Sequence, residues 1–157
     1  MTDTAIFGQT DLDALTAAAR DSDRRRRNRN FHAVSSHPAQ RLLNAIEPDS
    51  YVQPHRHRLA DRDETMVMVR GAVGLVVFEP DGRIVRTAVL RAGGEHVGAH
   101  IPADTFHTLV ALEPGSVFFE AKAGPYEAAT DKELAPWSPA EGSPAAAAYH
   151  AQLRALF

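Results

Sequence analysis

Residues 50–71 read SYVQPHRHRLADRDETMVMVRG. Pro54 stiffens the backbone just before His55, which suits a strand start or a sheet edge. On a strand, residues two apart point to the same face, roughly 6.7 Å apart along the chain. His55 and His57 can therefore converge on one ion about 2.1 Å from each imidazole nitrogen. LADRD (59–63) is polar enough for a loop, and TMVMVRG (65–71) reads as a returning strand. A hairpin return of this kind brings Glu64 back beside the two histidines.

Outward from this stretch, short β-rich runs recur from about residue 30 to 123. They include QRLLNAI (40–46), TMVMVRGAVGLVVF (65–78), IVRTAVL (84–90), HTLVAL (107–112) and SVFFEAKA (116–123). Turn signals separate them at Glu79-Pro80-Asp81-Gly82, Gly93-Gly94, Pro102-Ala103-Asp104 and Glu113-Pro114-Gly115. No long helical period interrupts the runs, so the expected class is all-β, an antiparallel sandwich or small barrel. A short helix is expected over 11–20, capped by Thr10 or Asp11. Another is expected over 144–156, with Ser143 as cap and Pro144 at its first position. No repeat or second domain is evident, so residues 1–157 read as one domain.

Arg24 to Arg27 form a basic run flanked by Asp21 and Asp23. Without interleaved aromatics it reads as a solvated segment after a helix, so no nucleic-acid partner is expected. The net charge of −3 agrees, and the 44% hydrophobic and 24% charged composition is that of a globular domain. The chain has no cysteine, which excludes disulfides and thiolate metal sites. No apolar run approaches the roughly 20 residues that span a bilayer, and the N-terminus lacks signal-peptide character. A cytoplasmic protein is expected.

A third histidine, His107, follows the turn at 102–104 at a second strand start. Three imidazoles and one carboxylate make a mixed N/O donor set that suits Fe, Mn, Ni or Zn as one divalent ion, rather than calcium. Pro54-x-x-His57 with His55, Glu64 and Gly71 resembles the first cupin motif. Gly94…Pro102-x-Asp104-x-x-His107 resembles the second. The spacer between His57 and Glu64 is longer than in most cupins, which leaves open whether Glu64 reaches the metal directly or through water. A wider likeness covers RRNRNFH (26–32), residues 40–65, residues 101–126 and DKELAPWSPAEG (131–142). These stretches resemble the WbuC family of cupin-fold metalloproteins, associated with polysaccharide loci. The resemblance implies a cupin barrel, a double-stranded antiparallel β-helix, with a metal at His55, His57, Glu64 and His107.

Strand parity nominates further groups. Tyr51 and Gln53 share parity with the histidines. Asn28, Asn30 and His32 alternate along another polar face, either an exposed edge or a wall that hydrogen-bonds a ligand. In SVFFEAKA, Glu120 and Lys122 share one face. If that face points inward, Lys122 can bind a substrate carboxylate or phosphate, and Glu120, Lys122 or His32 can move a proton. His100, seven residues before His107, is placed near the site mouth. Arg70 is expected in a structural ion pair, and Trp137 as a packing anchor.

Three functions fit. The first is an enzyme of isomerase, epimerase or lyase type, with the metal as Lewis acid toward a polar, sugar-derived small molecule. The others are an Fe(II) oxygenase and a non-catalytic, metal-dependent sensor. Exposed strand edges suggest a homodimer.

Overall fold

The computed structural model describes residues 4–59, 62–127 and 131–157. In chain order its elements are α1 (Gln9–Arg20), β1 (Arg26–Asn30), β2 (Ala39–Ile46), β3 (His55–Arg56), β4 (Glu64–Arg70) and β5 (Ala72–Phe78). They continue with β6 (Ile84–Arg91), β7 (Gly98–Ile101), β8 (Phe106–Ala111), β9 (Ser116–Ala123), β10 (Glu133–Leu134) and α2 (Ala146–Arg154). The strands form two five-stranded sheets, ordered β1-β2-β9-β4-β7 and β10-β3-β8-β5-β6. Every pairing is antiparallel.

Sequence pattern decides which faces meet. In β4 burial alternates: Glu64, Met66 and Met68 point inward, while Thr65, Val67 and Val69 point out. The inner faces of both sheets supply the central core, including Ile46, Met66, Met68, Leu75, Leu109 and Phe118. β5, AVGLVVF, is apolar throughout because both of its faces are covered. On its outer face Val76 and Phe78 join Phe106, Tyr51 and Leu153 of α2. Over the other sheet, Leu12, Leu15 and Ala19 of α1 pack on Leu43, Ala45 and Val117. Trp137 lies against Phe78 at 4.8 Å between ring centroids and donates its indole N–H to the Pro80 carbonyl. It anchors the C-terminal segment across the sheet, and Arg70 pairs with Asp13 at 2.8 Å.

Several local expectations shift. The first helix begins at Gln9 with Gly8 as its cap, ahead of Thr10 and Asp11, and the Asp11 carboxylate accepts the Gly8 N–H. The terminal helix runs only from Ala146 to Arg154, because Pro144 and Ala145 form a preceding turn. The first strand starts at Arg26, inside the basic run. Its backbone pairs with β2 over Arg26–Asn30, so its polar composition hides a genuine strand. SYVQPH contributes just His55 to the two-residue β3. Most consequentially, β3 and β4 do not form a hairpin. They belong to opposite sheets, and the chain crosses the barrel between them.

Gly71 makes the tight passage from β4 to β5. Its φ is +69°, and a Cβ there would lie 3.0 Å from the Ser116 Cα and 2.5 Å from its Oγ. The Ser116 hydroxyl is committed, because it accepts the Ala72 N–H and donates within the same turn. The left-handed backbone alone costs a residue with a Cβ about 1–2 kcal/mol, and the contact adds to it. Gly71→Ala is therefore expected to lower stability by about 2 kcal/mol, a fall in Tm of about 4–8 °C for a domain of this size. Thermal unfolding followed by circular dichroism measures it, and an unchanged Tm would remove the conformational role assigned to this glycine.

Candidate metal centre and its cavity

His55 and His107 face each other directly as partners in the β3–β8 ladder. His57 lies just beyond the end of β3, two residues from His55 and on the same face. Its carbonyl accepts the N–H of Asp104, so the turn before β8 ties it to His107. Asp104 holds a left-handed φ of +65° to make that turn, a conformation for which aspartate is enriched among residues with a Cβ. The ligand nitrogens of His55, His57 and His107 all lie within 4.8 Å of one another, and all three side chains are buried.

One nitrogen of each ring is already assigned. Nδ1 of His55 donates to the Gln53 carbonyl at 3.0 Å, and Nδ1 of His107 to the Thr105 carbonyl at 2.9 Å. Nδ1 of His57 donates to the Asp131 carbonyl. A carbonyl only accepts, so each Nδ1 carries a proton and Nε2 is the nitrogen left to meet a ligand. This is the orientation that metal-bound histidines take from their outer partners.

Glu64 enters from the opposite sheet. Its two carboxylate oxygens lie 3.1 Å from Nε2 of His57 and 3.2 Å from Nε2 of His107. Both are hydrogen-bonding separations, so the carboxylate and the two imidazoles face one another across the sheets. Burial opposes the charge on Glu64, but hydrogen bonds from His107 and His57 outweigh it and hold its carboxyl well below the usual range. Burial, reinforced by the charge on His107, pushes His55 well below the ordinary histidine value. His107 goes the other way: burial disfavours its cation, but the bond to Glu64 prevails and raises it. The donor set thus fits a divalent ion. Three imidazole nitrogens gather within 4.8 Å of one another, each ring fixed by a backbone acceptor, and Glu64 meets two of them from the opposite sheet.

The site opens into a cavity of about 560 Å³. Val52, Leu109 and Phe118 supply its apolar lining, and Asn44, Glu120, Lys122 and Lys132 its polar lining, with Phe118, Glu120 and Lys122 on one face of β9. The Glu120–Lys122 face of β9 therefore points into the barrel. Asn44 donates to Glu120 at 2.9 Å, and Lys122 lies 3.8 Å from Glu120 and 3.0 Å from Asp131. Burial, then the charge of Glu64, pushes the Glu120 carboxyl up to about 7. Burial works against the Lys122 cation, but the charges of Glu120 and Asp131 prevail and raise its pKa. Lys122 is therefore a fixed positive charge, while Glu120 exchanges its proton near neutral pH.

A second chamber of about 410 Å³ adjoins the first and shares Asn28, Asn44, Glu120, Lys122 and Lys132 with it. Asn30 and His32 line this outer chamber, and Asn28 donates to Asn30 at 2.6 Å. The ring of His32 is held by the backbone of Arg41.

Three nominated residues lie elsewhere. Tyr51 sits in the core beneath α2, its hydroxyl donating to the Pro139 carbonyl at 2.8 Å. The Gln53 side chain turns to Ser138, and only its carbonyl serves the site, through His55. Parity fails for both because residues 51–54 are not in a strand, and Val52 lines the cavity instead. His100 is exposed on the edge strand β7 beside Thr65 and Asp63, outside the cavity lining. Conversely, Asp131 and Lys132 escape a parity argument because they precede a two-residue strand. Asp131 holds His57 through its carbonyl and Lys122 through its carboxylate.

Comparison with known proteins sets this geometry in context. A family model described as "Domain of unknown function (DUF6016)" matches residues 7–90. No curated protein matches the chain. Among solved structures, oxalate decarboxylase from Bacillus subtilis, determined at pH 4.6, is 17% identical with a TM-score of 0.53, over 69% of this chain and 27% of that one. KdgF from Halomonas sp. is 18% identical, with a TM-score of 0.50, over 65% of this chain and 82% of that one. The chain thus spans little more than a quarter of the oxalate decarboxylase. At these identities the likeness establishes the fold, which is that of a cupin.

The raised Glu120 has a thermodynamic signature. Below its ordinary value of 4.5 the carboxyl is protonated in both folded and unfolded chains. Between 4.5 and about 7 the folded chain retains a proton that the unfolded chain releases. Folding stability is therefore lost as pH rises through that window, by up to about 3 kcal/mol. In metal-free protein, Glu120→Gln is expected to gain stability relative to the wild type between pH 5 and pH 8. Urea unfolding at both pH values measures the difference, and a constant offset would show that Glu120 does not titrate there.

Proposed function

The chain belongs to the DUF6016 family, a domain of unknown function, and we propose that it is a metal-dependent enzyme acting on a polar, sugar-derived small molecule. The observation that carries this is the pairing of the His55, His57 and His107 cluster with an opposing wall whose acid, Glu120, titrates near neutrality. A divalent ion held by these histidines and Glu64 would supply Lewis-acid polarisation of a substrate oxygen. The remaining work falls to the protein. Glu120 takes or returns a proton on the substrate face opposite the histidines. Lys122, kept cationic by Asp131 and Glu120, compensates negative charge that develops on the substrate. Val52, Leu109 and Phe118 exclude water from around the reacting centre.

A hydroxyl-rich substrate is supported by the outer chamber, where Asn28, Asn30, His32 and Gln40 present amide and imidazole groups beside Tyr126. The resemblance to WbuC proteins supports a link to surface-polysaccharide metabolism. Isomerase, epimerase and lyase chemistry all use this combination of polarisation and proton transfer. The exposed valines 85 and 89 on the edge strand β6 support a homodimer that covers this edge.

Metal analysis of protein purified without a nickel column tests the reading. One divalent ion per chain is expected in the wild type, and less than a tenth of that in His57→Ala and His107→Ala. Full occupancy in either variant would sink the ligand assignment. Turnover of hydroxyl-rich sugars that is unaffected by removing oxygen is the expected activity. Oxygen uptake with added Fe(II) would instead point to an oxygenase, and metal-dependent binding without turnover to a sensor.

A further inference from the structure

Lys122 and Lys132 line the same place, the junction of the inner and outer chambers. Burial first, and then the nearby charge of Lys122, lowers the pKa of Lys132, while Asp131 and Glu120 act the other way. Lys122 is satisfied by Asp131 at 3.0 Å. Lys132 has no ion-pair or hydrogen-bond partner among the described residues, although it lines both chambers. The other cations of the inner cavity are accounted for differently. Arg24 and Arg26 both bind Glu141, each at 2.8 Å, and Arg26 also donates to the Tyr51 carbonyl. Arg27 is exposed to solvent. Of the acids facing the junction, Asp131 is taken by Lys122, and Glu120 is partly neutral at physiological pH. Lys132 is therefore an ammonium without a direct hydrogen-bonding partner among the described residues, in a concave, partly desolvated setting where a charge-assisted bond to an anion is strong.

Resting on the reading of this cavity as a substrate site, we propose that Lys132, with Lys122, forms an anion seat at the junction of the two chambers, so that the ligand is a hydroxyl-bearing acid whose carboxylate or phosphate binds there. The seat is separate from the histidine cluster, which lines the inner chamber alone. It sets the ligand's orientation: the acid group at the junction, the reacting end toward the histidines, and any further hydroxyls toward Asn30, His32 and Gln40. Lysine is suited to this role because an ammonium accepts either anion as a point charge without demanding the paired geometry that arginine does.

Calorimetric titration of metal-free protein tests the seat without recourse to the metal. The probes are gluconate, glucose 6-phosphate and sorbitol, the last matching gluconate in its hydroxyls but lacking the charge. At least one of the two acids is expected to bind at least tenfold more tightly than sorbitol, and which acid binds identifies the anion. Lys132→Met is expected to weaken that acid at least tenfold and leave sorbitol unchanged, as loss of one charged hydrogen bond would. Lys132→Arg should retain most of the affinity. Equal affinity for sorbitol and both acids, no binding of either acid, or undiminished acid binding by Lys132→Met would overturn the seat. Metal stoichiometry of Lys132→Met, expected to equal that of the wild type, separates failure of the seat from failure of the metal centre.

Discussion

The arrangement depends on one inter-sheet contact, the buried carboxylate of Glu64 lodged against Nε2 of His57 and His107. An ionised carboxylate deep in a barrel is tolerated only when its charge is answered. Here the answer comes from the opposite sheet, so the contact fixes how the two sheets face each other at this end. The far end is closed by ordinary packing, Met66 and Met68 against Leu75, Leu90 and Phe118. The barrel is thus apolar at one end and charged at the other, and β4 carries both characters along one face.

Much of this is legible in the sequence because it follows local periodicity. The alternation in β4, the apolar run of β5, the turn residues and the histidines at each strand start all obey short-range rules. Glu64 does meet the histidines, but across facing sheets and not along a hairpin. A carboxylate from a facing sheet and one from a hairpin neighbour look alike in sequence. Tyr51 and Gln53 depart from their expected places because parity holds only where the backbone is extended and paired. Pro54 and the short β3 leave too little strand to carry it. The strand at Arg26 is hidden for the opposite reason. Its partner β2 supplies the backbone pairing, while its side chains serve solvent, the cavity and Glu141.

The charged wall opposite the histidines is the part no local rule could orient. By composition alone Glu120 and Lys122 belong on a surface. They face inward because the alternative face of β9, with Val117 and Phe119, is claimed by α1 and its core. Amphipathic packing outside the barrel thereby forces charge inside it. The charge is then made tolerable by Asn44, which donates to Glu120, and by Asp131, which holds Lys122.

Asp131 joins these levels. Its carbonyl orients His57, its carboxylate positions Lys122, and the following segment is pinned by the β10–β3 pairing and by the Ala135 N–H to Pro54 carbonyl bond. The C-terminal segment is therefore part of the site as well as a cover on the barrel. The imidazole of His57 and the ammonium of Lys122 therefore share one partner. One residue thus links the histidine cluster to the charged wall by two hydrogen bonds. The segment beyond the barrel strands thereby supplies a contact that the two sheets alone do not make.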